Sequence, residues 1–322
     1  MRYHFLHPNG DAHMGAPLAP EEEWPLFYSS TNAWILQGYY RLRGKLEGNV
    51  TISSQPDPEA INISTSEYWR RVLKHQRLEQ VFIVNCLSDK PDYVGADLRV
   101  VQNATQVRGT RDCYVPVWPQ PCLQPASDAQ QRDKTKLHIG FFGRPRYGLA
   151  GAKQLMRAVE QLGFEYTERT PDQWHDYTGI DIAVGIRGFG HWRYDHKPPS
   201  KLVNAWHAGV PFIGGSDSAY TQVGEPGHDY LRVTTSDALL AALKRLRCPE
   251  ERQRLVAAGQ HQARRFTHEA IAARWCAILE HAARPAFEDW LAAGRPRLRR
   301  HSKARLRLQV LGTRLGRRVG WF

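Results

Sequence analysis

Lys201 and Asn204 stand three residues apart in the run KPPSKLVNAWHAGVPFIGG, residues 197–215. On a helix that spacing puts an ammonium and an amide on one face, while Leu202, Val203 and Trp206 point elsewhere to be buried. Ser200 suits the N-cap, Gly209 suits the C-cap, and Pro211 stops any continuation before the apolar strand VPFIGG. The next turn is Gly214-Gly215-Ser216-Asp217-Ser218-Ala219-Tyr220. Its glycines let backbone approach a ligand, and free N–H groups at a helix start favour phosphate. Phosphate contact is expected through Ser218 and its neighbours Ser216 and Ala219. The competing role is helix capping, and Asp217 would repel a diphosphate if it pointed inward. A third loop, in GFFGRPRYG, carries Arg144 and Arg146, whose guanidinium groups match diphosphate oxygens.

These loops meet only if they leave the same end of one sheet. LHIGFFG, FEYTER, IDIAVGI, VPFIGG and DYLRV read as strands, separated by the helical run AGAKQLMRAVEQLG, a short helix at DQWHDY and the segment analysed above. Helices from Ser236 to Gly259 and from Thr267 to about Trp290 close the unit. In open α/β sheets ligands bind outside the carboxyl ends of the strands, which is where all three loops fall. The first half alternates in the same way: RYHFL, NVTISS, QVFIVNCLS and LRVVQN are strand-like, and NAWILQGYYRL and SEYWRRVLKHQ are helical. The fold class is therefore α/β with mainly parallel sheets. A proline-rich stretch, YVPVWPQPCLQPASDAQQRD, separates the halves as an extended connection. The expected organisation is an N-terminal domain over 1–130, a second domain over 131–290 and a tail over 291–322.

The net charge of +12 belongs to that tail. Ten arginines and lysines lie between Arg295 and Arg318 with no acid after Asp289, leaving 34 basic and 32 acidic residues in the body. A nearly neutral body argues against a nucleic-acid channel, and no nucleic-acid partner is expected. Leu308, Leu311, Leu315, Val319 and Phe322 recur at helical spacing among the arginines, so residues 295–322 form a basic amphipathic stretch. It suits an anionic membrane surface or docking on its own protein. No stretch reaches the roughly 18 apolar residues of a membrane span, and the N-terminus lacks the pattern of a signal peptide. The expectation is a cytoplasmic chain, peripheral at the inner face of the membrane if the tail engages it. The five cysteines show no zinc-ligand spacing and read as reduced. The sequons at Asn49, Asn62 and Asn103 read as chance matches.

From about Leu137 to Trp290 the residues resemble the nucleotide-sugar-binding half of a GT-B glycosyltransferase of group 1, or family 4. Gly143-Arg144 is similar to the family's strand-terminal Gly-Arg, whose arginine binds the donor diphosphate. LVNAWHAGVPFIGG resembles the family's Leu-Glu-Ala-Met-Ala-Cys-Gly-x-Pro-Val-Ile, and SDSAYTQVGEPGHDYLRV its following turn and helix. The resemblance implies two Rossmann-like domains facing across a cleft, a nucleotide-sugar donor, no further cofactor and sugar transfer to an acceptor hydroxyl. Asn204 stands where the family has the second glutamate of its E-x7-E motif, which binds ribose hydroxyls; an amide also donates to and accepts from a diol. His196 stands where the first, donor-sugar glutamate would be. Arg146 or Lys153 stands in for the lysine that follows the family's arginine.

The first half resembles the family by architecture alone. A general base for an inverting reaction belongs on a loop at a strand's carboxyl end. Asp11 and His13 in HPNGDAHMG and Asp89 in CLSDK meet that condition. No Asp-x-Asp pair ends a strand, so no metal is expected, and arginines, Lys201 and backbone amides would neutralise the leaving diphosphate. A saccharide, lipid-linked or of the cell envelope, is the expected acceptor. Three other functions fit the same residues: a nucleotide-sugar epimerase or hydrolase, a silent nucleotide-sugar sensor, and a nucleic-acid binder acting through its tail.

Overall fold

The computed structural model describes residues 1–17, 22–75, 78, 80–126, 136–144, 147–149, 152–294 and 311. In the first domain the order is β1 (Arg2–Leu6), α1 (Gly10–His13), α2 (Gln37–Leu42), β2 (Asn49–Ser53), β3 (Ile61–Thr65), α3 (Ser66–Val72), β4 (Phe82–Cys86), β5 (Leu98–Val101) and β6 (Asp112–Tyr114). All six strands pair in parallel, in the order β2-β1-β3-β4-β5-β6. The second domain runs β7 (Leu137–Phe142), α4 (Lys153–Gln161), β8 (Phe164–Arg169), β9 (Ile182–Gly185), α5 (Ser200–Ala208), β10 (Phe212–Gly214), α6 (Ser218–Val223), β11 (Leu231–Arg232), α7 (Ser236–Arg245) and α8 (Pro249–Ala263). Its five strands form a second parallel sheet, β11-β10-β9-β7-β8.

Both strand orders reverse direction once. The switch lies between β1 and β3 in the first sheet and between β7 and β9 in the second. At each, the loops leaving the two strands diverge to opposite faces and open a crevice at the carboxyl ends. The loops after β7 and β9 therefore flank the second crevice, and those after β1 and β3 flank the first.

Two strands escaped the sequence reading, for different reasons. INIST, β3, is buried along its whole length although three of its five residues are polar. Its polar groups are satisfied internally: Asn62 donates to the carbonyls of Asp57 (2.7 Å) and Ala60 (2.8 Å), and Ser64 to that of Leu6 (2.7 Å). β6 has only three residues, and the Arg99–Asp112 ion pair (2.6 Å) ties it to β5. Asn62 and Asn103 are fully buried, which takes two of the three sequons out of reach of modification in the folded chain. All five cysteines are unpaired, and Cys86 alone is buried.

The chain's last described helices leave the second domain. α9 (His268–Ile278) continues through a wide-turn segment, Leu279–Ala283, into α10 (Arg284–Ala292). Trp275 meets Trp34 edge-on at 6.2 Å, and Phe287 and Trp290 cover Phe82 at 5.3 and 5.8 Å. Residues 268–292, grouped with the second domain by sequence, thus pack on the first. One hydrophobic core joins the two domains through them. Among the described residues no helix is long and apolar enough to cross a membrane. Apart from Leu311, residues 295–322 lie outside the described residues, and with them the amphipathic stretch expected from sequence.

Candidate functional site

A cleft of about 630 Å³ separates the two crevices. The second domain lines it with Phe141, Gly143, Arg144, Tyr147, Trp174, Gly185, Arg187, Lys197, Pro198, Ser200, Lys201 and Asn204. That wall carries four cations and, among the described residues, no carboxylate. Arg144 follows β7 and Arg187 follows β9, so the two guanidinium groups stand on either side of the switch point.

α5 places Lys201 between them. The helix is fastened by Leu202, Val203, Ala205 and Trp206, all buried, and ends at Gly209 in the left-handed conformation (φ 68°) that glycine adopts without strain. Pro199 takes the cap position and no side chain caps the helix, so Ser200 begins the helix rather than capping it. The Lys201 ammonium lies 5.5 Å from the Phe141 ring centroid. A Cβ at residue 143 would fall 2.6 Å from the Phe141 ring, so the glycine there leaves room for that ring beside the ammonium. It has no hydrogen bond or ion pair among the described residues. Burial, with Arg187 and Lys197 adding repulsion, lowers its pKa to about 7. Asp217 and Asp89 offset only part of this loss, so an anion in the cleft would stabilise the ammonium.

Arg187 is held by fully buried Asp217, Nε to Oδ1 2.7 Å. Burial works against the guanidinium charge, but Asp217 outweighs it and raises the pKa. This pairing also decides where Asp217 points: towards Arg187, as its counter-ion. Sequence reasoning missed Arg187. The signal was available, because IDIAVGIR places an arginine two residues past the end of β9, at a strand end where ligands of open α/β sheets bind.

The first-domain wall is different. Trp24, Phe27, Tyr28, Ser29, Ser30, Ala33, Trp34, Gln37, Glu67, Ser88, Asp89, Lys90 and Gln102 line it, and the connection adds Val117, Trp118, Gln120 and Pro121. Asp89 sits at φ 65° and bridges the domains: Gln102 donates to Oδ1 (2.7 Å) and Lys197 to Oδ2 (2.9 Å). Burial alone would raise this carboxyl, yet the Lys197 ammonium holds it below the usual range. With both oxygens accepting and its pKa lowered, Asp89 acts as a clamp and is poorly suited to take a proton.

The structure brings Asp89, Arg144, Lys201 and Asn204 of the expected residues into the cleft. Asn204 faces the connection: its amide donates to Gln120 Oε1 at 3.0 Å, and Gln120 N donates to its oxygen at 3.4 Å. Arg146 lies outside the described residues. Asp11 and His13 are on α1, away from the cleft lining. Asp11 accepts from Ser54 (2.6 Å), which lowers its pKa, while His13 bonds Tyr40 (3.0 Å) and burial lowers its pKa. The 196–219 loops are turned towards the first domain instead. The His196 carbonyl accepts from Gln102 (3.0 Å), Ser218 Oγ from Asn103 (3.0 Å), Ser216 bonds the Gly190 carbonyl, and Ala219 is buried. Ser218 therefore joins the two domains, while Ser216 is tied within the second domain and Ala219 is buried. Among the described residues no group of three or more His, Cys, Asp or Glu could hold a metal ion.

No protein-family model and no curated protein matches the sequence. Solved structures do match. HepE from Anabaena, determined with UDP and glucose, superposes with a TM-score of 0.55 at 11% identity over 87% of this chain and 100% of HepE. Its complex with UDP gives 0.54 at 13% identity over the same shares. TarM gives 0.50 at 9% identity over 76% of this chain and 57% of TarM, so the chain spans little more than half the length of that protein. The chain has the GT-B fold. Its two domains, their facing crevices and the helices returning from the second to the first are the parts of that fold described above.

Proposed function

We propose that this GT-B chain is a glycosyltransferase that holds a nucleotide-sugar on its second-domain wall and transfers the sugar to an acceptor hydroxyl presented by the first. The observation that carries this reading is Lys201, a half-buried ammonium with no ion pair among the described residues, flanked by Arg144 and Arg187 at the switch point of a parallel sheet. A diphosphate supplies the missing negative charge, and the same cations stabilise it as it leaves. Asn204 is then the ribose contact, once Gln120 yields its amide. HepE, solved with UDP and glucose, shows a protein of this fold binding such ligands.

Because protein cations can carry the leaving charge, transfer is proposed to need no metal, and EDTA should leave turnover unchanged. The acceptor is proposed to be a saccharide, lipid-linked or of the cell envelope, with residues 295–322 resting on an anionic inner membrane face. Loss of liposome binding on deleting them would support that placement, and unchanged binding would remove it.

The decisive test is a thermal-shift panel of UDP, GDP, ADP, CDP and CMP. A ligand at 100 times its Kd adds about 2.7 kcal/mol of stability. One diphosphate should shift wild type by several degrees and Arg144→Ala much less. Equal responses of the two proteins, or none to any nucleotide, would contradict the assignment.

A further inference from the structure

The interdomain connection passes the cleft as Pro119-Gln120-Pro121, and Gln120 and Pro121 line it. Flanking prolines leave the backbone little freedom. The segment is also fastened on both sides. The Arg41 guanidinium lies 5.8 Å from the Trp118 ring centroid, and His268 Nε2 bonds the Pro119 carbonyl at 3.2 Å. Further on, Gln124 pairs with the backbone of His175 (2.8 Å) and Tyr177 (3.0 Å). Gln120 is thus presented to the cleft in one place, with little ordering left to be done.

What it meets there is Asn204. The Gln120 N–H donates to Asn204 Oδ1 (3.4 Å), and because an N–H only donates, the oxygen is the end of the Asn204 amide that faces it. The Asn204 nitrogen then donates to Gln120 Oε1 (3.0 Å). Both ends of the Asn204 amide are occupied, and Asn204 is itself buried. Gln120 is not satisfied in return, since its Nε2 is buried without a partner among the described residues. A pairing that served only to hold the fold would leave no donor unpaired. This one is half satisfied, so a ligand that takes over the Asn204 amide and lets Gln120 turn displaces it at small cost.

Asn204 stands three residues after Lys201 on the same face of α5, about 5–6 Å away. A phosphate on the Lys201 ammonium brings the group joined to it up to Asn204. In a nucleoside diphosphate that group is the ribose, whose hydroxyls both donate and accept, as the Asn204 amide does. Gln120 offers the same two functions from within the chain, an acceptor in Oε1 and a donor in its N–H. Resting on the donor assignment above, we infer that Gln120 is an internal competitor for Asn204, an autoinhibitory contact that occupies the ribose position and that the nucleotide must displace. The contact holds Asn204 closed, and the apparent affinity is the intrinsic one multiplied by the fraction of molecules in which Gln120 has let go. Inorganic pyrophosphate carries no ribose and does not compete with Gln120.

The test is calorimetric titration of wild type, Gln120→Met, Asn204→Ala and the double variant. The ligands are the nucleoside diphosphate selected by the nucleotide panel and inorganic pyrophosphate. Gln120→Met keeps the length of the side chain and removes its amide. It should tighten nucleotide binding about tenfold, the scale of one to two net hydrogen bonds, and leave pyrophosphate binding within twofold of wild type. Gln120→Asn, which keeps an amide but shortens its reach, should move nucleotide affinity in the same direction, so the outcome does not depend on one variant folding. Asn204→Ala should weaken nucleotide binding, and in that background Gln120→Met should change nothing, because the contact it removes is already gone. Unchanged or weaker nucleotide binding in both Gln120 variants overturns the inference and leaves the donor assignment standing. So does an equal gain for pyrophosphate, or a gain that persists without the Asn204 amide, since either would place the effect elsewhere in the cleft. No binding of any nucleotide to wild type overturns the donor assignment and this inference together.

Discussion

At the residue scale the account rests on Lys201 and Arg187. The Lys201 pKa of about 7, against an ordinary 10.5, means that the unfolded chain binds more protons between those limits. Stability should therefore rise with pH across that window, and below about pH 7 the full cost of the buried charge is present. Lys201→Met keeps the bulk and removes the charge. It should raise Tm at pH 6.5 by roughly 3–6 °C while abolishing nucleotide binding, a trade between stability and function. A lower Tm would show the ammonium to be satisfied in a way the geometry does not allow. Arg187→Leu should act in the opposite direction. It leaves Asp217 buried and unpaired at a cost of roughly 3–5 kcal/mol, read from the urea midpoint, and an unchanged midpoint would contradict the pairing. Lys201 was legible in sequence because its helix carries its own start and stop. Arg187 was not read, since its meaning depends on Asp217, thirty residues on, turning towards it.

At the element scale, α5 holds the ammonium and α8 holds α5. Gly259 on α8 lies against Trp206, and a Cβ there would fall 2.2 Å from the indole Cδ1. Gly259→Ala should cost about 1–3 kcal/mol by overpacking and should weaken nucleotide binding through displacement of Lys201. Circular dichroism melts and a thermal shift on one preparation check both, and a neutral substitution would show that α5 is positioned otherwise. The alternation of helix and strand was readable wherever strands are apolar, as in FIVNC, β4. It failed at INIST, where Asn62 and Ser64 are buried because backbone carbonyls receive them, a pairing that sequence period does not record. The helix after that strand was read, but not that it places Glu67 at the cleft. Asp11, His13 and Asp89 were read as acids and bases because they sit on recognisable loops.

At the scale of the whole molecule the domains are joined by the connection through Trp118 and Gln120, by polar contacts of Asp89 and Asn103, by Trp24 against Pro171 and His175, and by α9 and α10 returning to the first domain. The last was not legible, because helical period says that a face is buried and not against which partner. Phe287, 3% exposed against Phe82 and Trp290, should cost roughly 3–5 kcal/mol when cut to alanine. Unfolding should remain a single transition if the shared core couples the domains, and two separate transitions would argue against that coupling. The central claim concerns what fills the cleft between them. The most direct measurement is calorimetric titration of the diphosphate selected by the nucleotide panel at pH 6.5, 7.5 and 8.5, for wild type and Lys201→Met. Wild type should take up a proton on binding above about pH 7 and lose up to tenfold in affinity per pH unit there, while Lys201→Met binds weakly at every pH. Tight, pH-independent binding by both proteins would contradict the claim that this ammonium receives the diphosphate.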